Sequence, residues 1–475
     1  METCKSVRVI HDILHRLDFI YLVELFRFFG ILVCEDILTE EEKGKKAADT
    51  DYDAVIYVGR KEITEKQADL LHIAKEKYQN LVNEICSDAV WFYDCVAEVI
   101  EGPESGSVPL ENEGYPLPVG EYLNNGQQVA LYGSILKKVL KEGNYTGCGP
   151  VPDNLWESLV GICIENKLMF HSMNLQYYAK LPSEAAGDAK NAFIAAYKQL
   201  GTYEETYKDN MHYRYARIWC AMKANLACDF QDDILYFRID KLAEKCEELC
   251  RDCKEFDNAK VLLGLCYEPS AANGNQALMA FDSALEGFGK ACFTSSVYYW
   301  MGKRFESFGK KEDAEICYRR ANDRKEKFRN YFKLAIYERD RKEYQKSLEL
   351  FQIILSRLER KRRMDFADPL ELEYAFKVCT QECYIYYQMG DYDNAIQMGE
   401  RAIDIREKEI ESSKFFRMFY GNNEYLKYEE ILKKRLRLRS AFRILLEIYG
   451  VLQDKEKKEE YQRKLVDLDD SYKIG

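Results

Sequence analysis

Proline is scarce in this chain, nine in 475 residues, and six of the nine fall between 103 and 152. Most of the sequence is therefore free of the residue that breaks helices. Histidine is scarcer still, at five, which leaves little acid–base capacity near neutral pH. No apolar run reaches the roughly 18 residues that a membrane-spanning helix needs. The nearest approach, Leu17–Leu38, is interrupted by Asp18, Glu24, Arg27 and Glu35, and reads as a core helix followed by a core strand. No G-x-G-x-x-G or G-x-x-x-x-G-K-[ST] loop occurs, so the standard dinucleotide and nucleoside-triphosphate cradles are missing. Positive charge is also short. Lys and Arg number 69 against 81 Asp and Glu, for a net charge of −12. That balance argues against nucleic acid or an acidic membrane surface as a partner. No leader or targeting segment is recognised, so the 16 cysteines are expected to be reduced, buried thiols of a cytoplasmic protein.

What is present is a large apolar fraction, 47%, with 35 tyrosines. A ring with a polar tip suits helix packing and grooves. The first 100 residues differ in kind from the rest. Val7–Ile10, Ile31–Cys34 and Asp53–Gly59 read as strands, and Ala89–Tyr93 as a candidate fourth. Leu17–Phe29 has helical apolar spacing and stops at Gly30, a plausible C-cap. Thr64–Ile85 reads as one long amphipathic helix with Thr64 as N-cap. Thr39–Ala48 is charged and reads as a short helix or a loop. Strands alternating with helices predict a small parallel sheet with helices on its faces.

Residues 101–152 gather Pro103, Pro109, Pro116, Pro118, Pro150 and Pro152 with several glycines, and read as a linker or extended loop holding one helix, Gln127–Lys141. From residue 153 onward the pattern is helical: Asn154–Lys167, Ser183–Leu200, Met211–Ala227 and Asp240–Cys253 are amphipathic. The expected organisation is a small α/β domain over 1–100, the linker over 101–152, a helical region over 153–254 and a helical-repeat domain over 255–475. The fold class is α+β overall but mostly α.

The repeat is plainest at Tyr298, Tyr299, Trp300, Met301 and Gly302, then Phe305, Gly309, Ala314, Tyr318 and Ala321. Small residues stand where two backbones must approach, and large rings fill the space between. The pattern returns at Leu334, Ala335, Ser347, Phe351 and Ile354, and again at Cys383, Tyr386, Gly390, Asp391, Tyr392, Ala395, Gly399 and Ala402. An earlier copy starts at Gly264 and Tyr267, with Ala277, Phe281 and Ala284 in its second helix. Equivalent small residues step by 37 from Ala277 to Ala314, by 33 to Ser347 and by 48 to Ala395, so the last step carries an insertion around Arg357–Arg363 and Pro369. Ser440–Leu452 and Lys455–Leu468 read as a final, highly charged hairpin that caps the array. These spacings resemble the tetratricopeptide repeat, whose period is about 34 residues.

That resemblance implies a concave groove lined by first-helix positions, which here are Ser296, Tyr299, Lys303, Phe332, Ile336, Arg339, Tyr384 and Tyr387. Such a groove suits an extended or helical peptide with an acidic end, or another domain of the same protein. The family's carboxylate clamp needs asparagine and lysine at set positions; Lys303, Ile336 and Tyr384 occupy them, so the clamp is expected to be absent. At the other end, the run LVELFRFFGILVCED followed by YDAVIYVG resembles TIR-like and receiver-like flavodoxin folds. An unrelated small α/β domain, or part of a helical one, stands beside that reading. The TIR resemblance implies NAD chemistry by a glutamate on the helix after the third strand, often with a tryptophan four residues earlier. Thr64–Ile85 offers Glu65, Glu76 and Glu84 but no tryptophan, and Trp91 has no glutamate four residues on. A receiver domain would show an acidic pair after the first strand, where Asp12 stands alone.

Other clusters read more simply as structure. Cys246, Cys250 and Cys253 share a helical face without a fourth ligand. His11 and His15 are four apart without the glutamate of H-E-x-x-H. The basic runs Arg357–Arg363 and Lys433–Arg439 read as solvated helix faces paired with nearby glutamates. No catalytic, cofactor-binding or metal residues are assigned, and no cofactor is expected. The function expected is a protein–protein interaction scaffold that holds a protein or peptide, or a second copy of itself, and couples it to the α/β domain. The alternative is a signalling or defence enzyme whose TIR-like domain processes NAD under control of the repeats. A peptide-sensing transcription regulator ranks last, for want of a helix-turn-helix in residues 1–100.

Overall fold

A computed structural model describes residues 6–38, 52–100, 111–112, 115–140, 154–177, 183–226, 238–267, 273–289, 294–362, 369–411, 431 and 434–473. The expectations for Thr39–Ala48, for the turn after Tyr267 and for Pro103 and Pro109 lie outside these residues. The chain forms two compact units, Met1–Ser307 and Phe308–Gly475. The first runs across the boundaries at 100, 152 and 254 drawn from composition. The second begins inside the plainest repeat, between its two helices.

The first unit opens with strand β1, Ser6–His11, a 3-10 turn at Ile13–His15 and helix α1, Arg16–Phe28. Strands β2 (Leu32–Ile37), β3 (Ala54–Val58) and β4 (Val90–Trp91) complete a parallel sheet in the order β2-β1-β3-β4. Central β1 pairs Val7 with both Val33 and Ala54. Val7 and Val9 are fully buried, as expected of a central strand covered on both faces. The fourth strand is shorter than the sequence suggests, because α4 starts at Phe92. An apolar run this short does not distinguish strand from helix. The helix expected over Thr64–Ile85 is two, α2 (Glu65–Leu70) and α3 (Lys75–Cys86), separated where His72 takes a left-handed φ of 52°. Thr64 caps α2 through a reciprocal box with Gln67. Glu65, Glu76 and Glu84 are all exposed, so the helix after the third strand gathers no buried glutamate.

The unit continues with the small hairpin β5 (Glu111–Asn112) and β6 (Tyr115–Pro116), then α5 (Val119–Tyr122), α6 (Asn125–Leu140), α7 (Leu155–Glu165), α8 (Leu168–Tyr177), α9 (Ser183–Gly201), α10 (Glu204–Tyr207), α11 (Met211–Leu226), α12 (Ile239–Asp252), α13 (Asp257–Tyr267), α14 (Gly274–Phe288) and α15 (Thr294–Ser307). Within the stretch expected to be a linker or extended loop with one helix, the helix expected over Gln127–Lys141 is α6, the short α5 precedes it, and Val119, Leu131, Ile135 and Leu136 are fully buried. α1 packs on α8 and α11. Its C-terminal end is tied down over long sequence distances: His212 Nδ1 lies 2.7 Å from the Phe29 carbonyl, and the Asn258 amide donates to the Gly30 carbonyl. Gly30 has φ of 72°, and a Cβ there would lie 2.7 Å from the Phe256 ring, so glycine is required for both backbone and space.

The second unit is a row of antiparallel helix pairs. α16 (Lys311–Arg324) is followed by α17 (Phe328–Asp340) with α18 (Tyr344–Arg362), α19 (Pro369–Met389) with α20 (Tyr392–Glu411), and α21 (Arg439–Val451) with α22 (Lys455–Lys473). The repeat positions behave as their sizes demand. Ala335, Ser347, Phe351, Ala395 and Ala402 are fully buried. Ser347 adds a hydrogen bond from Oγ to the Ala335 carbonyl at 2.8 Å, which closes the α17–α18 pair. The α19–α20 turn is closed by Gly390 at φ 76°, with the Gly390 and Asp391 amides donating to Tyr387 and Tyr386. The fold is thus a small α/β layer followed by helical repeats of the tetratricopeptide kind. Among the described residues no helix is long and apolar enough to cross a membrane.

Candidate functional site

The first helices of successive pairs in the second unit, α17, α19 and α21, are neighbours. Five of the eight residues expected to line a groove sit on α17 and α19. Phe332 and Ile336 are half-buried against the core beneath. Phe332 meets Phe351 at 5.6 Å and Tyr374 at 6.0 Å between ring centroids. One helical turn or two further on, Arg339 bridges the helices. Its guanidinium donates to Gln381 of α19, pairs with the neighbouring Asp340 at 2.9 Å through Nε and 2.5 Å through Nη2, and lies 5.8 Å from the centre of the Tyr384 ring. Tyr384 is 39% exposed. Tyr387, also on α19, has its hydroxyl in hydrogen-bond contact with Glu447 of α21. The side chains therefore form a surface with an apolar floor, a cation pinned over an aromatic face and an exposed phenol. Ser296, Tyr299 and Lys303 lie on α15 in the first unit, where Ser296 and Tyr299 are half-buried and Lys303 is exposed.

The basic runs are paired more widely than i, i+4. Arg357 meets Glu326 and stacks on Tyr331 at 5.2 Å; Arg437 reaches Glu373 at 2.6 Å. Glu373 also holds the fully buried Arg406 at 2.7 Å, and these cations keep its pKa below the usual value despite burial. Cys246 is buried and its thiol donates to the Ala259 carbonyl at 3.3 Å. Among the described residues no three His, Cys, Asp or Glu side chains are grouped to hold a metal.

A second polar centre, which spacing did not disclose, lies at the carboxyl end of β1. Asp12 is fully buried. Its Oδ1 accepts from the Leu14 and His15 amides at 3.0 and 3.2 Å and sits 2.5 Å from His15 Nδ1. His11 ends the strand and stacks on Phe19 at 3.7 Å. Asp18, in the first turn of α1, accepts from the Tyr93 hydroxyl at 2.7 Å and the Val119 amide at 2.8 Å. Tyr78 donates to the Arg60 carbonyl at 3.1 Å and touches the Tyr57 hydroxyl.

Burial raises the Asp18 pKa to about 6, against the opposing pull of Tyr93, the Val119 amide and the His15 charge. A carboxyl whose folded pKa exceeds its unfolded one stabilises the fold fully below about pH 4, and this contribution is lost as pH rises through about 6. We expect Asp18→Asn to remove a pH-dependent loss of about 3 kcal/mol between those limits, measured by urea unfolding across the range. An unchanged pH profile in the variant would contradict the assignment.

No protein-family model and no curated protein sequence matches this chain. Among solved structures it is similar to the crystal structure of yeast Tom70, at 14% identity over 82% of this chain and 77% of that one, with a TM-score of 0.37. It is similar also to the human IFIT1 dimer with PPP-AAAA, at 14% identity over 79% of this chain and 94% of that one, with a TM-score of 0.30. The human IFIT1 dimer with m7Gppp-AAAA gives 12% identity, 83% and 78% coverage and a TM-score of 0.34. Likenesses this distant carry no functional argument, and the fold rests on the helix pairs themselves.

Proposed function

We propose that the protein is an interaction scaffold whose second unit holds a peptide segment with an acidic end along the layer formed by α17, α19 and α21. The observation that carries this reading is Arg339, held by Asp340 and Gln381 beside the exposed ring of Tyr384, so that an incoming carboxylate would compete with Asp340 for a guanidinium already in place. A preorganised guanidinium loses little freedom on pairing with a carboxylate, and the adjacent ring supplies contact area. Helix α1 of the α/β layer packs on α8 and α11 of the first unit, which supports its part in coupling. The expected location is the cytoplasm.

The test is selection of peptides from a random library on the full chain, followed by titration against Arg339→Glu and Tyr384→Ala. Charge reversal is expected to weaken binding at least tenfold and to leave the circular dichroism spectrum unchanged. A library that yields no binder, or binders indifferent to both variants, overturns the proposal. Net charge describes the whole surface rather than one groove, so an oligonucleotide arm belongs in the same experiment.

The parallel order β2-β1-β3-β4 favours a second reading, in which the α/β layer processes NAD. The exposure of Glu65, Glu76 and Glu84 weighs against it. NAD that stays intact on incubation with the purified chain removes this reading.

A further inference from the structure

Of the twelve described cysteines, ten are buried. The two that are half-exposed, Cys250 and Cys253, stand three positions apart with only Arg251 and Asp252 between them. A C-x-x-C interval is one that dithiol redox sites use. Here it falls where α12 ends. Cys253 leaves the helix at φ −121° and ψ 68°, yet its amide still donates to the Leu249 carbonyl at 2.9 Å. Its Cα therefore keeps the helical position, about 5 Å from that of Cys250 by the rise and radius of an α-helix. Disulfides span Cα separations of about 4.4–6.8 Å, so the pair is within range. The Cβ atoms of such a pair start about 5–6 Å apart and must close to about 4 Å. Cys253 can supply that movement, because its ψ is already non-helical and the chain turns away beyond it. Cys246, one turn before Cys250, cannot. It is fully buried within α12, with its thiol on the Ala259 carbonyl of α13 at 3.3 Å.

The surroundings single out Cys250 as the reactive member. Burial pushes the Cys86 and Cys383 thiols up to about 12, and that of Cys246 up as well. Cys250 moves the other way. Its hydrogen bond with Cys246 is the largest cause, burial opposes it, and the charge of Lys260 adds to it. The Lys260 ammonium is itself held in place by Asp257 at 2.6 Å. The carboxyl end of a helix disfavours a thiolate, so these two neighbours are what make one available. The thiolate is the form that attacks an oxidant, and at Cys250 it is also within reach of solvent.

We propose that Cys250 and Cys253 form a dithiol that hydrogen peroxide converts reversibly to a disulfide. The Cys250 sulfur attacks one peroxide oxygen, the O–O bond breaks, and the other oxygen leaves as water, giving a sulfenic acid. The Cys253 sulfur then attacks that of Cys250, forms the S–S bond and expels the hydroxyl as a second water. Two thiols give up two electrons and two protons, and one peroxide becomes two waters. The site lies in the first unit and does not depend on the peptide groove.

The test treats the full chain, reduced and freed of reductant, with an equimolar amount of hydrogen peroxide, blocks the remaining thiols with iodoacetamide and digests with trypsin. The protease cuts after Lys245, Arg251 and Lys254, all exposed, so the proposed bond joins two peptides, 246–251 and 252–254. A bond from Cys250 to Cys246 would stay inside the first. Mass spectrometry is expected to find the joined pair, to lose it after dithiothreitol, and to show it forming about tenfold faster than any oxidation of Cys246. In Cys253→Ser the sulfenic acid has no partner, so dimedone should label Cys250; in Cys250→Ser neither product should form. A bond confined to 246–251, no joined pair, a joined pair that forms only in urea, or a Cys253→Ser variant that dimedone leaves unlabelled at Cys250 overturns the proposal.

Discussion

Gly264→Val is expected to lower the stability of the first unit by 3 kcal/mol or more, at the upper end of the range known for overpacked cores. A Cβ at Gly264 would lie 2.4 Å from Cε1, 2.6 Å from Cδ1 and 2.7 Å from Cζ of Phe281. Real carbon atoms settle about 3.5–4.0 Å apart, so the ring would have to move by an ångström. Phe281 has nowhere to go. It is fully buried between Ala277 and Ala284, themselves at 0% exposure, and lies over Trp300 with ring centroids 6.2 Å apart. Gly264→Ala should show the same loss in part. The measurement is urea unfolding followed by tryptophan fluorescence, since Trp91, Trp156, Trp219 and Trp300 all belong to the first unit. A midpoint within error of the parent would show that α13 and α14 do not approach as described.

Phe351→Ala should cost the second unit about 3–5 kcal/mol, the usual loss when a buried ring becomes a cavity. Phe351 is fully buried on α18 and supports Phe332 from below at 5.6 Å. Its neighbours in the same cluster include Tyr331, Ala335 and Leu355, all less than a tenth exposed. Loss of the ring removes the floor under Phe332, so peptide affinity should fall together with stability. Far-UV circular dichroism is the appropriate probe, because the second unit contains no tryptophan. Phe351→Leu, which keeps most of the volume, should recover the greater part of both losses. Equal losses for the two variants would point to a role for the ring other than filling space.

The repeats were legible because their rule is local. Ala314, Ala335, Ala395 and Ala402 are fully buried where the spacing demanded small residues, and Tyr318 and Phe351 are fully buried where it demanded rings. The central strands were legible from β-branched runs, and the helix ends from Thr64 and Gly30. Ala89–Tyr93 was legible in part: Val90 and Trp91 form the expected fourth strand, but the run turns helical at Phe92, because five apolar residues satisfy a strand and a helix start equally. The polar centre at the carboxyl end of the sheet was hidden for a different reason. Asp18 meets partners 75 and 101 positions away, at Tyr93 and Val119, which no spacing rule connects. The His11–His15 interval suggested a helical face, but the strand ends between them. Only the fold shows that the useful spacing was Asp12 to His15, across a single tight turn. The proline-rich stretch was legible in part: the helix expected over Gln127–Lys141 is there, while the composition gave no sign that Val119 and Leu131 are buried.

The bond from Asn258 to the Gly30 carbonyl spans 228 positions. A ribosome adding about 5–20 residues each second would take roughly 10–45 s to supply the partner after Gly30 is made. Through that interval the nascent polypeptide would present Phe28 and Phe29 to its surroundings without their final cover. Biosynthesis, more than equilibrium stability, is therefore where this protein would most depend on a chaperone, and truncations ending before Asn258 should be the forms that aggregate in the cell.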